Sequence, residues 1–310
     1  MPYINVFGVP HAYTLTTKNV DADKTIVFVH GWLLSQRYWQ PVVQSLQSDC
    51  QCLSYDLRGF GASNAYLEQR YCDIVDCVQK GAAYTLEAYA QDLGRLLESL
   101  NLSKVWLVGH SLGGSVALWA AKLLPHRVAG VICVNAGGGV YLPDEFRKFR
   151  QAGQQIIRWR PFWLAHLPLI GYAFARLMVA KPLGTTWGKQ RVLDLLAADE
   201  AAALGALLDS TTEEEVHLLP QVVANLQQPV YFIAGLEDTV MEEQYVQHLA
   251  SFHDLFESPE GNVIVLPECG HMAMVEQPIA LSQTIQAIVK TRPVASQPQH
   301  QLSLSQSEEG

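Results

Sequence analysis

Apolar residues in this chain fall into short continuous runs that are separated by amphipathic stretches. The runs that predict strands are residues 25–29, 50–55, 105–108, 128–134, 230–234 and 263–266. A strand that is apolar throughout is buried on both faces, which is typical of a parallel sheet. Two earlier runs, 4–7 and 13–16, predict a short hairpin around Gly8, Val9 and Pro10.

Helical patterns lie between the predicted strands. Thr85 can cap a helix on which Leu86, Tyr89, Leu93 and Leu97 share one face. Further helices are predicted at 37–46, at 115–124 and from Pro278 onward. Strands that alternate with helices predict an α/β fold, in which a mostly parallel sheet is covered by helices on both faces.

One long interval interrupts this alternation, between the strands at 128–134 and 230–234. We expect it to form a helical cap that is inserted between core strands. The predicted divisions are a first core part at 1–139, a cap at 140–226, a second core part at 227–291 and a disordered tail at 292–310. Residues 64–83 form a long connection without a clear period.

Composition and charge narrow the classes of function. A chain of 310 residues with 49% hydrophobic and 16% charged residues fits a soluble globular protein with a large core. Its net charge of −9 argues against general nucleic-acid binding. Residues 1–5 lack the features of a secretory leader and the six scattered cysteines fit reduced thiols, so we expect a cytoplasmic protein.

The strongest chemical signal is the pentapeptide Gly109–His110–Ser111–Leu112–Gly113, which lies between a predicted strand and a predicted helix. A Gly-x-Ser-x-Gly nucleophile elbow has this context, because its sharp turn exposes the serine hydroxyl at the edge of the sheet. The plainer interpretation is that Ser111 only caps the helix.

A serine nucleophile needs a base that is itself oriented by an acid. The acid candidate is Asp238, shortly after the strand at 230–234, and its neighbour Glu237 is the rival. The base candidate is His271, in a Gly–His turn after the strand at 263–266. All three side chains are therefore predicted beyond the C-terminal ends of strands, where parallel sheets bind ligands.

These motifs resemble the α/β-hydrolase superfamily, whose triad follows the same chain order of Ser, Asp and His. His30–Gly31–Trp32 matches the superfamily's oxyanion-loop motif, and 56–63, 235–238 and 270–278 match further motifs. The resemblance implies the α/β-hydrolase fold and a serine esterase or lipase-like branch with an inserted cap.

The resemblance also implies the parts of the site. The backbone N–H groups of Trp32 and Leu112 form the expected oxyanion hole, and neither a cofactor nor a metal is required. His30 is expected to order its loop. The residues predicted to line a substrate pocket are His110, Leu33, Trp159, Trp163 and Met272.

The cap differs in charge from the rest of the chain. Residues 141–191 carry nine Lys and Arg against two acids, a local balance of +7 that leaves −16 for the remainder. Three interpretations compete: a lid over an apolar pocket with solvated basic residues, peripheral docking on an anionic membrane, and direct pairing of cap arginines with an acidic substrate.

We predict a serine hydrolase that cleaves a small-molecule carboxylic ester with an apolar portion. One alternative is a triad enzyme for carbon–carbon cleavage or elimination, resembling the cyclohexadiene-forming lyase of menaquinone synthesis. Such lyases carry an arginine four residues after the nucleophile, where this chain has Ser115. The other alternative is a non-catalytic ligand-binding protein of the same fold.

Overall fold

The fold was analysed in a computed structural model that describes residues 1–17, 24–64, 84–138 and 142–291. Within these residues, one sheet contains eight strands. They are β1 (Tyr3–Val6), β2 (Val9–Leu15), β3 (Thr25–Val29), β4 (Gln51–Tyr55), β5 (Val105–His110), β6 (Val128–Val134), β7 (Val230–Gly235) and β8 (Val263–Leu266).

The strands lie in the order β1-β2-β4-β3-β5-β6-β7-β8. The pairs β1/β2 and β2/β4 are antiparallel, whereas every pair from β4/β3 to β7/β8 is parallel. The C-terminal ends of β3, β5, β6, β7 and β8 therefore meet at one edge of the sheet.

Helices connect the strands, and short 3₁₀ turns occur at Gln36–Trp39, Phe162–His166 and Asp254–Glu257. The α-helices of the described residues are α1 (Gln40–Leu46), α2 (Leu86–Ser99), α3 (Leu112–Leu123), α4 (Pro143–Arg158), α5 (Ile170–Phe174), α6 (Thr185–Ala197), α7 (Glu200–Ser210), α8 (Glu213–Asn225), α9 (Glu243–Ala250), α10 (Ala273–Glu276) and α11 (Pro278–Thr291).

Two apolar clusters cover the two faces of the sheet. In β3, Val27 and Val29 pack with α2 and α3, whereas Ile26 and Phe28 pack with α1 and α11. Successive side chains of a strand point to opposite faces, so a continuous apolar run supplies both clusters at once. The predicted α/β architecture, with helices on both faces of a mostly parallel sheet, is confirmed.

Several predicted bounds needed correction. The first hairpin turns at Phe7 and Gly8 alone, because Val9 and Pro10 already pair with β1. Helix α3 begins at Leu112, three residues before the apolar stretch that predicted it. The predicted helix at 37–46 is a 3₁₀ turn followed by α1. Thr85 caps α2 as predicted, since its hydroxyl accepts a hydrogen bond from the Ala88 amide.

Helices α4–α8 lie between β6 and β7, where the inserted cap was predicted. Most of the connection at 64–83, the cap boundary at 139/140 and the tail at 292–310 lie outside the described residues. None of the helices that are described combines the length and the apolar character needed to cross a membrane.

Candidate active site

Ser111 lies in a strained turn between β5 and α3. Its backbone has φ 51° and ψ −121°, a combination that costs a non-glycine residue of the order of 1–3 kcal/mol. Its amide donates to the Val134 carbonyl over 3.0 Å. Ser111 occupies the N-cap position of α3, but its side chain makes no capping hydrogen bond to the helix, so the structure does not use its hydroxyl as a cap.

At two positions of the pentapeptide, Gly109 and Gly113, the neighbouring backbone is so close that only glycine fits. A Cβ added to Gly109 would lie 2.1 Å from the Gly113 carbonyl oxygen. A Cβ added to Gly113 would lie 2.4 Å from the Val29 oxygen and 2.6 Å from the His30 oxygen. The start of α3 can therefore press against the ends of β5 and β3 only where side chains are missing.

The predicted acid and base are in direct contact. The Nδ1 atom of His271 lies 2.8 Å from Oδ2 of Asp238, and both side chains are buried. The other oxygen of Asp238 accepts the amides of Val240 and Met241 at 2.8 and 2.9 Å. The carboxylate is thus fixed by its own loop, and Nδ1 of His271 is fixed by the carboxylate.

The pKa of Asp238 lies below its ordinary value. Burial of the carboxyl group acts to raise this pKa, but the hydrogen bond and charge of His271, together with the two backbone amides, outweigh burial and lower it. Asp238 is therefore ionised near neutral pH, which is the state that favours an Nδ1–H on His271.

Asn135 belongs to the same network, although sequence reasoning missed it. It directly follows β6, and its side-chain amide donates to Oδ2 of Asp238 at 2.9 Å and to the Gly270 carbonyl at 3.1 Å. The residue is buried and has φ 48°, in the left-handed region that Asn tolerates. Its place after β6, at the same edge as the triad candidates, was the available signal.

His110 joins the elbow to the loop of the predicted base. Its Nε2 lies 2.7 Å from the His271 carbonyl, and the two imidazole rings are 4.8 Å apart. Burial, followed by the nearby His271, lowers the pKa of His110 to about 3. A neutral His110 donates from Nε2, so it holds the His271 backbone beside the residue preceding Ser111.

The predicted oxyanion loop lies against the elbow. A Cβ added to Gly31 would lie 2.7 Å from Nδ1 of His110. His30 orders this loop, since its Nδ1 donates to the Gly31 carbonyl and its Nε2 accepts the Leu57 amide.

The two backbone donors of the predicted oxyanion hole are Trp32 and Leu112. In the described part of the chain, neither backbone N–H has a hydrogen-bond partner. The Leu112 N–H is also the first of α3, where the helix dipole favours negative charge.

The cap reaches the base loop through backbone contacts. The amide of His271 donates to the Met178 carbonyl at 2.9 Å. Glu276 accepts the amides of Ala180, Gly270 and Met272 at 2.8–3.0 Å. One carboxylate therefore orders the turn around His271 and ties it to the cap.

The predicted pocket residues do not all lie together. His110 and Met272 are buried, and Leu33 is partly buried with φ 55°. Trp159 and Trp163, however, are 84% and 61% exposed, so the described chain does not enclose them, and their place in a pocket stays a prediction. Helical spacing could not distinguish the inner from the outer side of an inserted cap.

Among the described residues, no group of three or more His, Cys, Asp or Glu side chains is arranged to hold a metal ion.

The family model described as "Alpha/beta hydrolase family" matches residues 26–284. An uncharacterised protein of Mycobacterium tuberculosis is 27% identical over 92% of this chain and 81% of its own length. The 2-succinyl-6-hydroxy-2,4-cyclohexadiene-1-carboxylate synthase of Salmonella paratyphi C is 26% identical over 86% of this chain and 94% of its own length.

The fold is also shared with solved structures. A thermophilic esterase from Thermogutta terrifontis superposes with a TM-score of 0.71 at 22% identity, over 94% of this chain and 99% of the esterase.

Proposed function

This chain belongs to the alpha/beta hydrolase family, and we propose that it is a serine hydrolase that cleaves a carboxylic ester with an apolar portion. The observation that carries the proposal is the 2.8 Å hydrogen bond between His271 and Asp238. His110, the residue before the strained Ser111, contacts the His271 carbonyl and so links this pair to the elbow. An oriented imidazole is what a serine hydroxyl needs to become a nucleophile near neutral pH.

In the first half of the reaction, Oγ of Ser111 attacks the ester carbonyl carbon and its proton passes to Nε2 of His271. The carbonyl oxygen becomes an oxyanion that accepts hydrogen bonds from the N–H groups of Trp32 and Leu112. Asp238 stabilises the imidazolium. The carbon–oxygen bond to the alcohol then breaks, the alcohol leaves with the proton from Nε2, and an acyl-enzyme remains.

In the second half, His271 takes a proton from water, and the hydroxide attacks the acyl carbonyl. The same two amides stabilise the second oxyanion. Ser111 regains its proton from Nε2 as the carboxylic acid leaves. Atoms and charge balance without a metal or an organic cofactor.

An apolar portion of the substrate is supported by apolar side chains in the cap segment that contacts the loop of His271. The Met178 carbonyl accepts a hydrogen bond from the His271 amide, and the side chains of Leu177 and Met178 are both large, apolar and exposed. Each methylene that such a surface buries contributes about 0.8 kcal/mol, or about a 4-fold gain in kcat/KM. We therefore expect kcat/KM to rise with acyl length.

The test is hydrolysis of a p-nitrophenyl ester series from acetate to dodecanoate. Ser111→Ala should lower kcat by at least about 1,000-fold, whereas Ser115→Ala, in the same helix, should keep the parent rate. Equal rates for the parent and Ser111→Ala would overturn the proposal. If kcat/KM stays constant or falls along the series, the preference for an apolar acyl group is contradicted, but ester hydrolysis is not.

A second candidate is carbon–carbon cleavage or elimination by the same side chains. The observation that favours it is the similarity to the Salmonella synthase over 86% of this chain. Such a reaction uses His271 and Ser111 for proton transfer and forms no acyl-enzyme.

Two measurements distinguish the candidates. A pre-steady-state burst of p-nitrophenol supports the ester hydrolase, since it reports an acyl-enzyme. For the second candidate, 2-succinyl-6-hydroxy-2,4-cyclohexadiene-1-carboxylate should protect Ser111 from a fluorophosphonate probe. Absence of that protection contradicts it.

A further inference from the structure

The cap carries an apolar surface that the rest of the described chain does not cover. Its residues, here called the aromatic surface, are Trp159, Phe162, Trp163, Leu167, Leu169 and Tyr172, and all six side chains are exposed. Phe162 and Leu169 are 82% and 73% exposed. Such side chains are normally buried, and a cluster of them marks an interaction site.

The backbone presents these side chains outward. The 3₁₀ turn Phe162–His166 and helix α5 both pack on α6, so their opposite sides face solvent. Leu169 has φ 66°, a left-handed conformation that is unfavourable for leucine. This strained residue gains no burial within the described chain.

The segment that carries the aromatic surface is rich in basic residues. Residues 146–193 contain nine Lys and Arg and no Asp or Glu. Some of the nine are used within the fold: Arg160 donates to the carbonyls of Leu195 and Ala198, and Arg191 to those of Phe174 and Leu177.

Other basic side chains are exposed. Among the described residues, Lys148, Arg158 and Lys189 are exposed and none of them forms an ion pair. Arg176 is exposed as well, and it lies beside the aromatic surface, since it donates to the Tyr172 carbonyl at 3.4 Å and its guanidinium is 5.9 Å from the Tyr172 ring. Arg158 precedes Trp159. A Cβ added to Gly171 would lie 2.9 Å from Cγ of Lys189, which places this lysine beside α5.

We propose that the aromatic surface docks on a bilayer that contains anionic lipid, with Trp159, Phe162, Trp163 and Leu169 at the level of the acyl chains and Arg158, Arg176 and Lys189 at the headgroups. Tryptophan and basic residues next to exposed leucine and phenylalanine are typical of interfacial segments. Although the net charge of the chain is −9, the contact with the bilayer depends on the charges next to it, because salt screens charges beyond about 8 Å.

Docking would bring the base loop close to the membrane. The same cap segment ends at Met178, whose carbonyl accepts the amide of His271. A lipid-soluble ligand could then enter from the bilayer. The docking itself does not depend on the proposed reaction.

The test is flotation with vesicles of phosphatidylcholine alone and of phosphatidylcholine mixed with phosphatidylglycerol. We expect recovery with the mixed vesicles only, and less recovery as salt is raised. Replacing two headgroup cations in Arg158→Gln/Lys189→Gln should weaken binding about 30-fold. Phe162→Ser/Leu169→Ser should weaken it by the order of 100-fold.

The matched controls are exposed residues outside the cap. Phe7→Ser, at the β1–β2 turn, and Lys104→Gln, before β5, should bind as the parent does. Unchanged thermal unfolding of all variants shows that the exposed substitutions leave the fold intact.

Three results would overturn the proposal: equal recovery with both vesicles, binding that the cap variants do not weaken, and a dimer of the parent chain that Phe162→Ser/Leu169→Ser dissociates. The last would identify a second copy of this chain as the occupant. None of these results bears on ester hydrolysis, which is measured separately with soluble substrates.

Discussion

Asn135 connects the acid to the loop of the base. Its amide donates to Oδ2 of Asp238, the same oxygen that contacts His271, and to the carbonyl of Gly270. We interpret it as a positioning residue, since it acts through Asp238 and His271 rather than on a substrate. A hydrogen bond to a charged group contributes about 1.5–3 kcal/mol.

Asn135→Gly should lower kcat about 10- to 100-fold with little change in KM, because the amide is lost while the left-handed backbone is still allowed. The measurement is steady-state kinetics on a soluble ester below the unfolding temperature. Asn262→Gly is the matched control, since Asn262 is also buried and donates to two carbonyls away from the site. Similar losses of kcat in both variants would contradict a positioning role.

At this scale, the residue types and their strand-end positions were sufficient to nominate Ser111, Asp238 and His271. The N–H groups of Trp32 and Leu112 were nominated by the resemblance to the α/β-hydrolase superfamily. The high exposure of Trp159 and Trp163 was not predictable, because a pattern of aromatic residues does not say which side of a cap they occupy.

At the scale of elements, the turn at Ser111 depends on the close packing of α3 against the end of β3. A Cβ on Gly113 would meet two backbone carbonyls, whereas one on Gly184 would meet nothing within 4 Å. Gly113→Ala should therefore lower the free energy of unfolding by about 2 kcal/mol or more, since the backbone must move. Gly184→Ala, at the N-cap of α6, is the matched control and should cost no more than about 1 kcal/mol, since its Cβ meets no atom. Urea unfolding measures both, and equal stabilities would contradict the packing described.

Helix α6 of the cap is held to the core by a buried acid. Asp194 accepts hydrogen bonds from Ser35, near the oxyanion loop, and from Gln190. Burial raises the pKa of Asp194 from 3.8 to about 6, although these hydrogen bonds act to lower it.

The folded chain therefore holds this proton more tightly than the unfolded chain does. Its contribution to stability is fully present below about pH 4 and is lost as pH rises through about 6. Relative to Asp194→Asn, the parent should lose about 2 kcal/mol of unfolding free energy between pH 4 and pH 7. Urea unfolding across this range measures the difference, and a difference that stays constant with pH would contradict this assignment.

Elements were predictable where one physical signal dominated. The runs at 25–29 and 128–134 match β3 and β6, because strands buried on both faces are apolar throughout. The run at 263–266 matches β8 as well, although β8 is the edge strand and is only partly buried before Leu266. Helix α3 begins before the apolar stretch that predicted it. Its first residues, Leu112, Gly113 and Gly114, form the turn and its close contacts, so they do not follow the apolar pattern of the helix. Pro10 suggested a turn but pairs with Asn5 in the first hairpin.

At the scale of the whole molecule, the parallel sheet gathers residues that are distant in sequence. The loops after β3, β5, β6, β7 and β8 meet at one edge, and hydrogen bonds join them: His110 to His271, Asn135 to Asp238, and Asp238 to His271. Charge is also separated along the chain, because residues 141–191 carry a balance of +7 and the remainder carries −16.

The central claim is that this edge turns Ser111 into a nucleophile. Intact-protein mass spectrometry after treatment with a fluorophosphonate, followed by peptide mapping, tests it most directly. We predict one adduct per chain, on Ser111, which is absent in Ser111→Ala, slowed in His271→Ala and retained in Ser115→Ala. An adduct that persists in Ser111→Ala, or a parent chain that does not react, would contradict the account.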